Sequence, residues 1–282
     1  GARSATEEFF ADQKAEFHHI TDDLNGFERY PQPIPKALPP GGSLLQTDGV
    51  VDANVKVEPK SGDKGLQIEG DGWAMDLDGL GPDGKPLDLG PDGALRLANE
   101  RDVATEGTGF LPNSQVDLYV DPPVLVQGAS ARAATEAVYV GTVRTDAKGE
   151  FAGTATLPED IAPGEHVLQA VGFGKTAVKR ALSLGVIVDP WIVLDQGTRT
   201  ADGRHDRIRT TGTTGGIDAG TRLTPFIKYA GQGSFQQGKA TITVQSDGTF
   251  RWTRQIKKGK GLTAYVTWQD TESNQVFWAK LR

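Results

Sequence analysis

From Ser43 onward the chain consists mainly of short segments in which apolar and polar residues alternate, and turn residues separate these segments. In QVDLYV (Gln115–Val120), the apolar residues Val116, Leu118 and Val120 are spaced by polar or amphipathic ones. A period of two is the signature of a β-strand with one buried face. Strands this short, with turns about every 8–12 residues, favour a β-sandwich over a sheet whose strands are joined by helices.

An internal repeat supports this fold class. The segment TVRTDAKGEFAGTATLP (142–158) has a counterpart in TITVQSDGTFRWTRQI (241–256), and the aligned residues Phe151 and Phe250 are 99 positions apart. A period of about 100 residues matches the size of an immunoglobulin-like domain. In both copies a strand leads into a tight turn that ends in glycine, and a second strand begins at the phenylalanine, which predicts a β-hairpin.

The segments GTGFLPNSQVDLYV, TVRTDAKGEF and LPEDIAPGEHVLQAVG together resemble the immunoglobulin-like repeats of secreted and cell-surface proteins of actinobacteria. The stretch from TPFIKYAGQG to SNQVFW is similar to a C-terminal β-module of such proteins. The resemblance covers roughly residues 51–282. It implies tandem immunoglobulin-like β-sandwiches and an extracellular or cell-surface location. It implies no particular activity, because these repeats occur in proteins with many roles.

Composition shifts divide the chain into four regions. Residues 1–42 are predicted to form an N-terminal helix and a proline-rich linker, and residues 43–106 an acidic β-region continuous with the next module. Residues 107–190 are predicted to form one immunoglobulin-like sandwich and residues 191–282 a basic C-terminal β-sandwich, with the junction at Asp189-Pro190. The tract Val124–Ala137 is a longer loop than a plain hairpin needs.

The helix is predicted over residues 4–25. Ser4 and Glu7 form a capping box, and acidic residues fill the first turn. An apolar stripe is expected to be buried, either on the chain itself or in the groove of a partner. The stripe consists of Phe10, Phe17, Ile20 and Leu24. The segment PQPIPKALPPGG (31–42) carries five prolines, which predicts an extended, semi-rigid spacer.

Charge is distributed unevenly along the chain. The net charge of −7 divides into −3, −8, −3 and +7 over the four regions. Because the acidic and basic regions are separated by a module, we expect copies of the chain to associate head to tail, with the acidic region of one against the basic module of the next. Other copies of the chain or other envelope proteins are the expected partners.

The candidate contact surface of the basic module is the hairpin RWTRQIKKGKG (251–261). Its cations are Arg251, Arg254, Lys257, Lys258 and Lys260. The first interpretation is a solubilising turn that protects an edge strand. The second is a site for an anionic polymer, such as a cell-wall polysaccharide, or for an acidic protein surface. Phe250, Trp252 and Ile256 are assigned to the core. Trp268 and Trp278 could stack on a sugar only if they are exposed.

No motif for catalysis, cofactor or metal is evident. The four histidines have no nucleophile motif beside them, and neither a phosphate-binding loop nor a dinucleotide fingerprint occurs. The tract Asp76–Gly93 is rich in Asp and Gly but lacks oxygen ligands at the positions of an EF-hand, so tight turns are expected, with a non-standard calcium site as the alternative. Nucleic acid binding is not expected of an acidic chain without a recognition motif. The longest apolar run, Ala181–Val188, is far shorter than the roughly 20 residues of a membrane span.

The sequence therefore predicts a non-enzymatic, secreted, envelope-associated protein that builds a surface structure. Two alternatives stay open: a binding module or adhesin for an anionic cell-wall glycopolymer, and the accessory region of an extracellular hydrolase.

Overall fold

The computed structural model describes residues 30–125 and 137–281, and these residues form two β-sandwiches. Twenty-two strands, β1–β22 in chain order, make up the regular structure of these residues together with a 3-10 turn at Pro91–Gly93. The fold class is thus mainly β with antiparallel sheets. The predicted helix, with Phe10, Phe17, Ile20 and Leu24, lies outside the described residues, as do residues 126–136 of the long loop.

The N-terminal sandwich packs a seven-stranded sheet on a five-stranded sheet. The seven strands are β1 (Ser43–Thr47), β2 (Val50–Asp52), β6 (Leu95–Ala98), β8 (Gln115–Val120), β9 (Val138–Arg144), β11 (Gly164–Phe173) and β12 (Lys179–Asp189). Their order is β2-β1-β12-β11-β8-β9, and β6 pairs in parallel with the end of β12. The five strands are β3 (Val55–Pro59), β4 (Leu66–Gly70), β5 (Ala74–Gly79), β7 (Asp102–Thr108) and β10 (Phe151–Thr156), in the order β10-β7-β5-β4-β3.

The C-terminal sandwich packs a four-stranded sheet on a six-stranded sheet. The four strands are β13 (Trp191–Leu194), β14 (Thr198–Asp202), β15 (His205–Gly215) and β19 (Thr249–Lys257), with β15 in the centre. The six strands are β16 (Arg222–Tyr229), β17 (Gln236–Gln237), β18 (Ile242–Thr243), β20 (Leu262–Trp268), β21 (Thr271–Glu272) and β22 (Val276–Trp278). In this sheet β16 and β20 pair with each other and hold the shorter strands at their outer edges.

Each sandwich has its own hydrophobic core. One core runs from Leu45 to Val188 and draws on both the acidic region and the residues after it, so residues 43–189 form a single sandwich. The other core lies between Ile192 and Trp278. Strand β8 departs from the expected alternation, since all six of its residues are buried. On the side away from the core its Asp117 is 4% exposed.

The repeat is present in the structure, but its two halves are not hairpins. Strand β9 belongs to the seven-stranded sheet and β10 to the five-stranded sheet, and β18 and β19 likewise lie in opposite sheets. The predicted hairpins are therefore arches that cross the core. The two arches have the same local hydrogen bonds: the Asp146 N–H donates to Glu150 O at 2.8 Å, and 99 residues later the Gln245 N–H donates to Thr249 O at 2.8 Å.

The phenylalanine after each arch packs over a glycine of the neighbouring strand. Phe151 lies opposite Gly107, and Phe250 lies opposite Gly212. A Cβ atom on Gly107 would lie 2.5 Å from the Phe151 ring, and one on Gly212 would lie 2.0 Å from the Phe250 ring. The ring needs a neighbour without a side chain to fold back over the strand into the core. The phenylalanine–glycine pairs thus join β10 to β7 and β19 to β15, each within one sheet.

The proline-rich segment 31–42, predicted as a spacer, lies against the outer face of the seven-stranded sheet, and we call it the proline-rich strap. The Gln169 side chain binds the backbone of Gln32 in both directions, accepting from its N–H and donating to its carbonyl, each at 2.8 Å. Ile34 of the strap is fully buried and packs with Leu44. Proline lacks an N–H, so side-chain amides supply hydrogen bonds that a ladder would otherwise make.

The strap ends on Gly185 of β12. The backbones of Gly41 and Gly42 exchange hydrogen bonds with Gly185 at 3.0 and 2.9 Å. A Cβ atom on Gly185 would lie 1.8 Å from the carbonyl oxygen of Pro39, so only glycine allows this approach.

Candidate functional site: two sheet faces of opposite charge

The five cations predicted as a contact surface do not share one face. Arg251 points outward from β19 and is exposed. Arg254 points to the inner side of the same strand, where its guanidinium lies close to Gly238 and Pro225 at the edge of the sandwich. Successive side chains of a strand point to opposite faces of the sheet. Arg251, at an odd position of β19, therefore lies on the outer face, and Arg254, at an even position, lies on the inner face. The core residues of β19 are as expected: Phe250, Trp252 and Ile256 are all buried.

Lys257 is the last residue of β19, and Lys258 and Lys260 lie in the turn that follows it. The Lys257 ammonium lies 5.0 Å from the centre of the Tyr229 ring. Lys258 donates to the carbonyl of Gly203 at 3.0 Å, which joins this turn to the β14–β15 turn. Lys260 is exposed. We call Lys257–Lys260 the basic turn.

Two arginines of β15 join Arg251 on the outer face of the four-stranded sheet. Arg209 lies opposite Thr253 of β19, and Arg207 lies opposite Gln255, so both point outward beside Arg251. Arg207 pairs with Asp202 at 2.9 Å. Within the described residues, no carboxylate forms an ion pair with Arg209 or Arg251. We call Arg207, Arg209 and Arg251 the basic face.

A buried ion pair holds the basic turn in position. Arg199 donates to Asp206 at 2.8 Å, and their side chains are 5% and 1% exposed. The same guanidinium donates to the carbonyls of Lys257 at 3.2 Å and Ala279 at 2.9 Å, while the Asp206 carboxylate accepts from the Gly259 N–H at 3.0 Å. One ion pair therefore ties β14, β15, the basic turn and the segment after β22 together.

The same contacts set the protonation state of Asp206. Burial by itself raises the pKa of this carboxyl. The hydrogen bond from Gly259, the pairing with Arg199 and the charge of Lys258 outweigh burial, so the pKa lies below its usual range. The neighbouring side chains of His205 and Asp206 lie on opposite faces of β15: Asp206 points inward to an arginine, and His205 points outward.

The five-stranded sheet of the N-terminal sandwich presents an acidic outer face. One row across its strands reads Ala152, Glu106, Asp76, Gln67 and Glu58. Asp76 and Glu106 are directly opposite each other on neighbouring strands. Like charges in this arrangement destabilise a sheet by roughly 0.2–1 kcal/mol. We call Glu58, Glu69, Asp76 and Glu106 the acidic face.

Most cations near the acidic face are already paired. Lys56 binds Glu58 at 3.1 Å, and Lys60 binds Asp78 at 2.8 Å. In the described part of the chain, Glu69, Asp76 and Glu106 have no ion pair of their own.

A cleft of about 700 Å³ opens on this face. The bottom of the cleft lies close to the backbone of the sheet, because it is formed by the small residues Ala74, Gly107 and Ala152. Its rim carries the carboxylates of Asp76 and Glu106, those of Asp146 and Glu150 from the β9–β10 arch, and one cation, Arg144. The complete lining is Gln67, Ala74, Met75, Asp76, Glu106, Gly107, Thr108, Arg144, Asp146, Glu150, Phe151 and Ala152.

The two sandwiches are joined by Pro190 alone, since β12 ends at Asp189 and β13 begins at Trp191. The Trp191 indole donates to the carbonyl of Asn99 at 2.7 Å, and the Arg101 guanidinium lies 4.5 Å from the centre of the Trp191 ring. The Asn99 N–H donates to Asp189 O at 3.0 Å. The two contacts of Trp191 therefore link the C-terminal sandwich to the N-terminal one next to Pro190.

One histidine and two tryptophans outside these faces also have structural partners. His166 binds the Asp121 carboxylate at 2.7 Å and the Ala162 carbonyl, and its pKa is raised, chiefly by the hydrogen bond to Asp121. Trp278 is 3% exposed and packs in the core, while Trp268 is partly buried.

Two features are absent from residues 30–125 and 137–281. No group of three or more His, Asp or Glu side chains there could hold a metal ion. In the Asp-Gly tract, Asp83 accepts the Lys85 N–H at 3.0 Å within a tight turn. No helix in these residues has the length and apolar character needed to cross a membrane.

Neither a family model nor a curated protein matches this chain. Among solved structures, it is similar to red sea bream transglutaminase, with 9% identity, a TM-score of 0.36 and coverage of 76% of this chain and 32% of that one, so it spans about a third of the enzyme. It is also similar to the D0-D1 domain of intimin, with 18% identity, a TM-score of 0.23 and coverage of 65% and 94%. A DUF3823 family protein from Bacteroides ovatus has 12% identity, a TM-score of 0.24 and coverage of 72% and 96%. Similarity at this level indicates neither an activity nor a partner for this chain. The assignment of the fold depends on the sheets described above.

Proposed function

We propose that the chain is a non-enzymatic, secreted structural protein of a cell envelope, and that its two sandwiches are units of an assembly. The observation that carries this proposal is that one chain bears an exposed acidic sheet face and an exposed basic sheet face on different sandwiches. Both faces leave charges without an ion pair among the described residues, and the sequence shows no catalytic motif that would assign them another role.

A two-sandwich body with a short junction suits a structural role. The single residue between β12 and β13 and the contacts of Trp191 with Asn99 and Arg101 limit bending between the sandwiches. Limited bending keeps the spacing of repeated units constant, which an ordered layer or filament requires.

The proposal is tested by sedimentation velocity of the chain over a wide range of concentration at low salt, followed by electron microscopy of the heaviest fraction. Concentration-dependent association into regular particles is the expected result. A chain that stays monomeric throughout would contradict the structural role. Incubation with glycans, esters and peptides tests the non-enzymatic claim, and turnover that is lost on substitution of His166 or His205 would overturn it.

A second candidate is binding of an anionic cell-wall glycopolymer, which is favoured by the two unpaired arginines of the basic face, Arg209 and Arg251. Co-sedimentation of the chain with purified acidic and neutral wall polysaccharides distinguishes the two functions. Retention on the acidic polymer by a chain that does not self-associate would favour the second candidate.

A further inference from the structure

The acidic face carries a repulsion between like charges that its own sandwich offsets only in part, through the charge of Lys60. Asp76 and Glu106 stand opposite each other near the middle of the sheet, and within the described residues neither has a cation paired with it. Lys60 is near enough to interact with both, but its hydrogen bond goes to Asp78. A charge arrangement that weakens a sheet is expected where a partner supplies the opposite charge.

The cleft on this face has the shape to receive a projecting basic segment. Its floor of small side chains makes a depression across β5, β7 and β10, and carboxylates stand on its rim. The side chains of Ala74 and Ala152 contribute apolar surface to the lining, so an inserted turn would meet apolar surface as well as charge. Apolar contact supplies affinity, while charges give register and faster encounter.

The C-terminal sandwich of the same chain carries a matching surface. The basic turn projects beyond the end of β19, and the buried pair of Arg199 and Asp206 holds its backbone in place. Arg209 and Arg251 extend the positive surface along the sheet. A preorganised turn loses less conformational freedom on binding than a flexible one.

The two surfaces do not meet within one chain. Every ion pair among the described residues lies inside a single sandwich, including the pair of Arg96 with Asp189 at the end of β12. A second copy of the chain is therefore an occupant that offers both complementary charges. An anionic polymer would match the basic face alone and would be repelled by the acidic one.

We propose that the acidic face and cleft of one copy bind the basic face and basic turn of the next copy. This inference rests on the proposed assembly function and specifies its interface. The contact is heterologous, because different surfaces of the two copies meet. A contact between two copies leaves the basic surface of one and the acidic surface of the other free, so assembly continues into a filament or closes into a ring.

The test uses two charge-reversed chains. The acid-reversed chain carries Asp76→Lys and Glu106→Lys, and the base-reversed chain carries Arg209→Glu and Arg251→Glu. All four positions are at least partly exposed, so these chains are expected to fold. Matched controls change exposed residues elsewhere on the same sandwich by the same charge: Glu159→Lys with Glu165→Lys, and Arg222→Glu with Lys239→Glu. Thermal unfolding of each chain checks that it is folded.

Sedimentation velocity is measured for each chain alone and for the two reversed chains mixed in equal amounts. We expect the wild-type chain and both controls to associate. Each reversed chain alone should associate with a dissociation constant at least tenfold higher. The mixture of the two reversed chains should associate again. The mixture regains association because an intact basic face then meets an intact acidic face.

The remaining outcomes separate this inference from the proposed function. If the wild-type chain associates and the reversed chains do so equally well, the interface is wrong and the assembly function stands. Loss in each reversed chain without recovery in the mixture also overturns the head-to-tail interface. A wild-type chain that is monomeric at every concentration overturns both proposals.

Discussion

Replacing Arg199 by methionine is expected to destabilise the C-terminal sandwich more than any other single arginine change in it. The side chains of Arg199 and Asp206 are 5% and 1% exposed. Without the guanidinium, the Asp206 carboxylate keeps only its hydrogen bond from the Gly259 N–H. Removing one partner of a buried ion pair typically costs about 3–5 kcal/mol, because the other charge stays buried. The carbonyls of Lys257 and Ala279 also lose a donor.

The expected fall in Tm follows from this magnitude. For a domain of 60–100 residues, 1 kcal/mol shifts Tm by about 4–8 °C, and the C-terminal sandwich is of this size. Its transition should therefore fall by at least ~12 °C, while that of the N-terminal sandwich stays in place. Differential scanning calorimetry measures both, and fluorescence assigns them because Trp73 is the one tryptophan among the described residues before Trp191.

Arg207→Met is the matched control. Arg207 lies on the same sheet and pairs with Asp202 at 2.9 Å, but their side chains are 30% and 38% exposed. Exposed ion pairs contribute little to stability, so this variant should unfold close to the wild-type temperature. The reasoning is refuted if Arg199→Met and Arg207→Met lower the C-terminal transition equally.

Three further outcomes are expected. Gly185→Ala should lower the free energy of unfolding by about 1–3 kcal/mol, because the added methyl group overpacks the contact with the proline-rich strap. The amides of the strap should then exchange their hydrogens faster with solvent. Unchanged hydrogen exchange would contradict the described contact. Glu106→Lys should raise the stability of the isolated chain by about 0.5–1 kcal/mol, since a repulsion with Asp76 becomes an attraction, and it should weaken association between copies. Denaturant unfolding measures the stability and sedimentation measures the association. A loss of stability would argue against the repulsion. The pKa of His166 is raised in the folded chain, so protonated His166 stabilises the fold. This stabilisation is complete at pH values below the pKa of an unfolded histidine, about 6.5, and is lost as the pH rises through the folded pKa. The Tm difference between the wild type and His166→Gln should therefore shrink with rising pH, and a difference that is constant with pH would exclude the pairing with Asp121.

The strand pattern was predictable because alternation reports burial directly. Phe250, Trp252 and Ile256 were assigned to the core from spacing alone, and all three are buried. The 99-residue repeat was also readable, since the same turn chemistry precedes Phe151 and Phe250. Which sheet each strand joins was not readable, because a tight turn suits both a hairpin and an arch. The glycine opposite each phenylalanine carries that information, but it lies about 40 residues upstream.

The proline-rich strap was predicted as a spacer because prolines favour extended chain. Its attachment depends on Gln169, which is 137 residues from Gln32. Local composition cannot reveal such a partner.

The basic face was predicted only in part. The run of cations after Phe250 predicts a contact surface of five residues, but Arg254 points to the inner side of its strand. Arg207 and Arg209 were missed, yet the alternation in HDRIRTT (205–211) was a usable signal: Ile208 lies between two arginines and is buried, which places both arginines on the outer face.

The central claim is most directly tested by disulfide cross-linking between copies. The chain contains no cysteine, so introduced cysteines report only the chosen positions. Ala152 lies on the acidic sheet beside Glu106, and Thr253 lies beside Arg209 on the basic sheet; both are exposed. Chains carrying Ala152→Cys and Thr253→Cys, distinguished by mass tags, are mixed under mild oxidation at low salt. The head-to-tail interface predicts that mixed dimers form faster than either self-dimer, and that salt near 1 M, where the Debye length is about 3 Å, removes the difference. Mixed dimers that form no faster than self-dimers at low salt would contradict it.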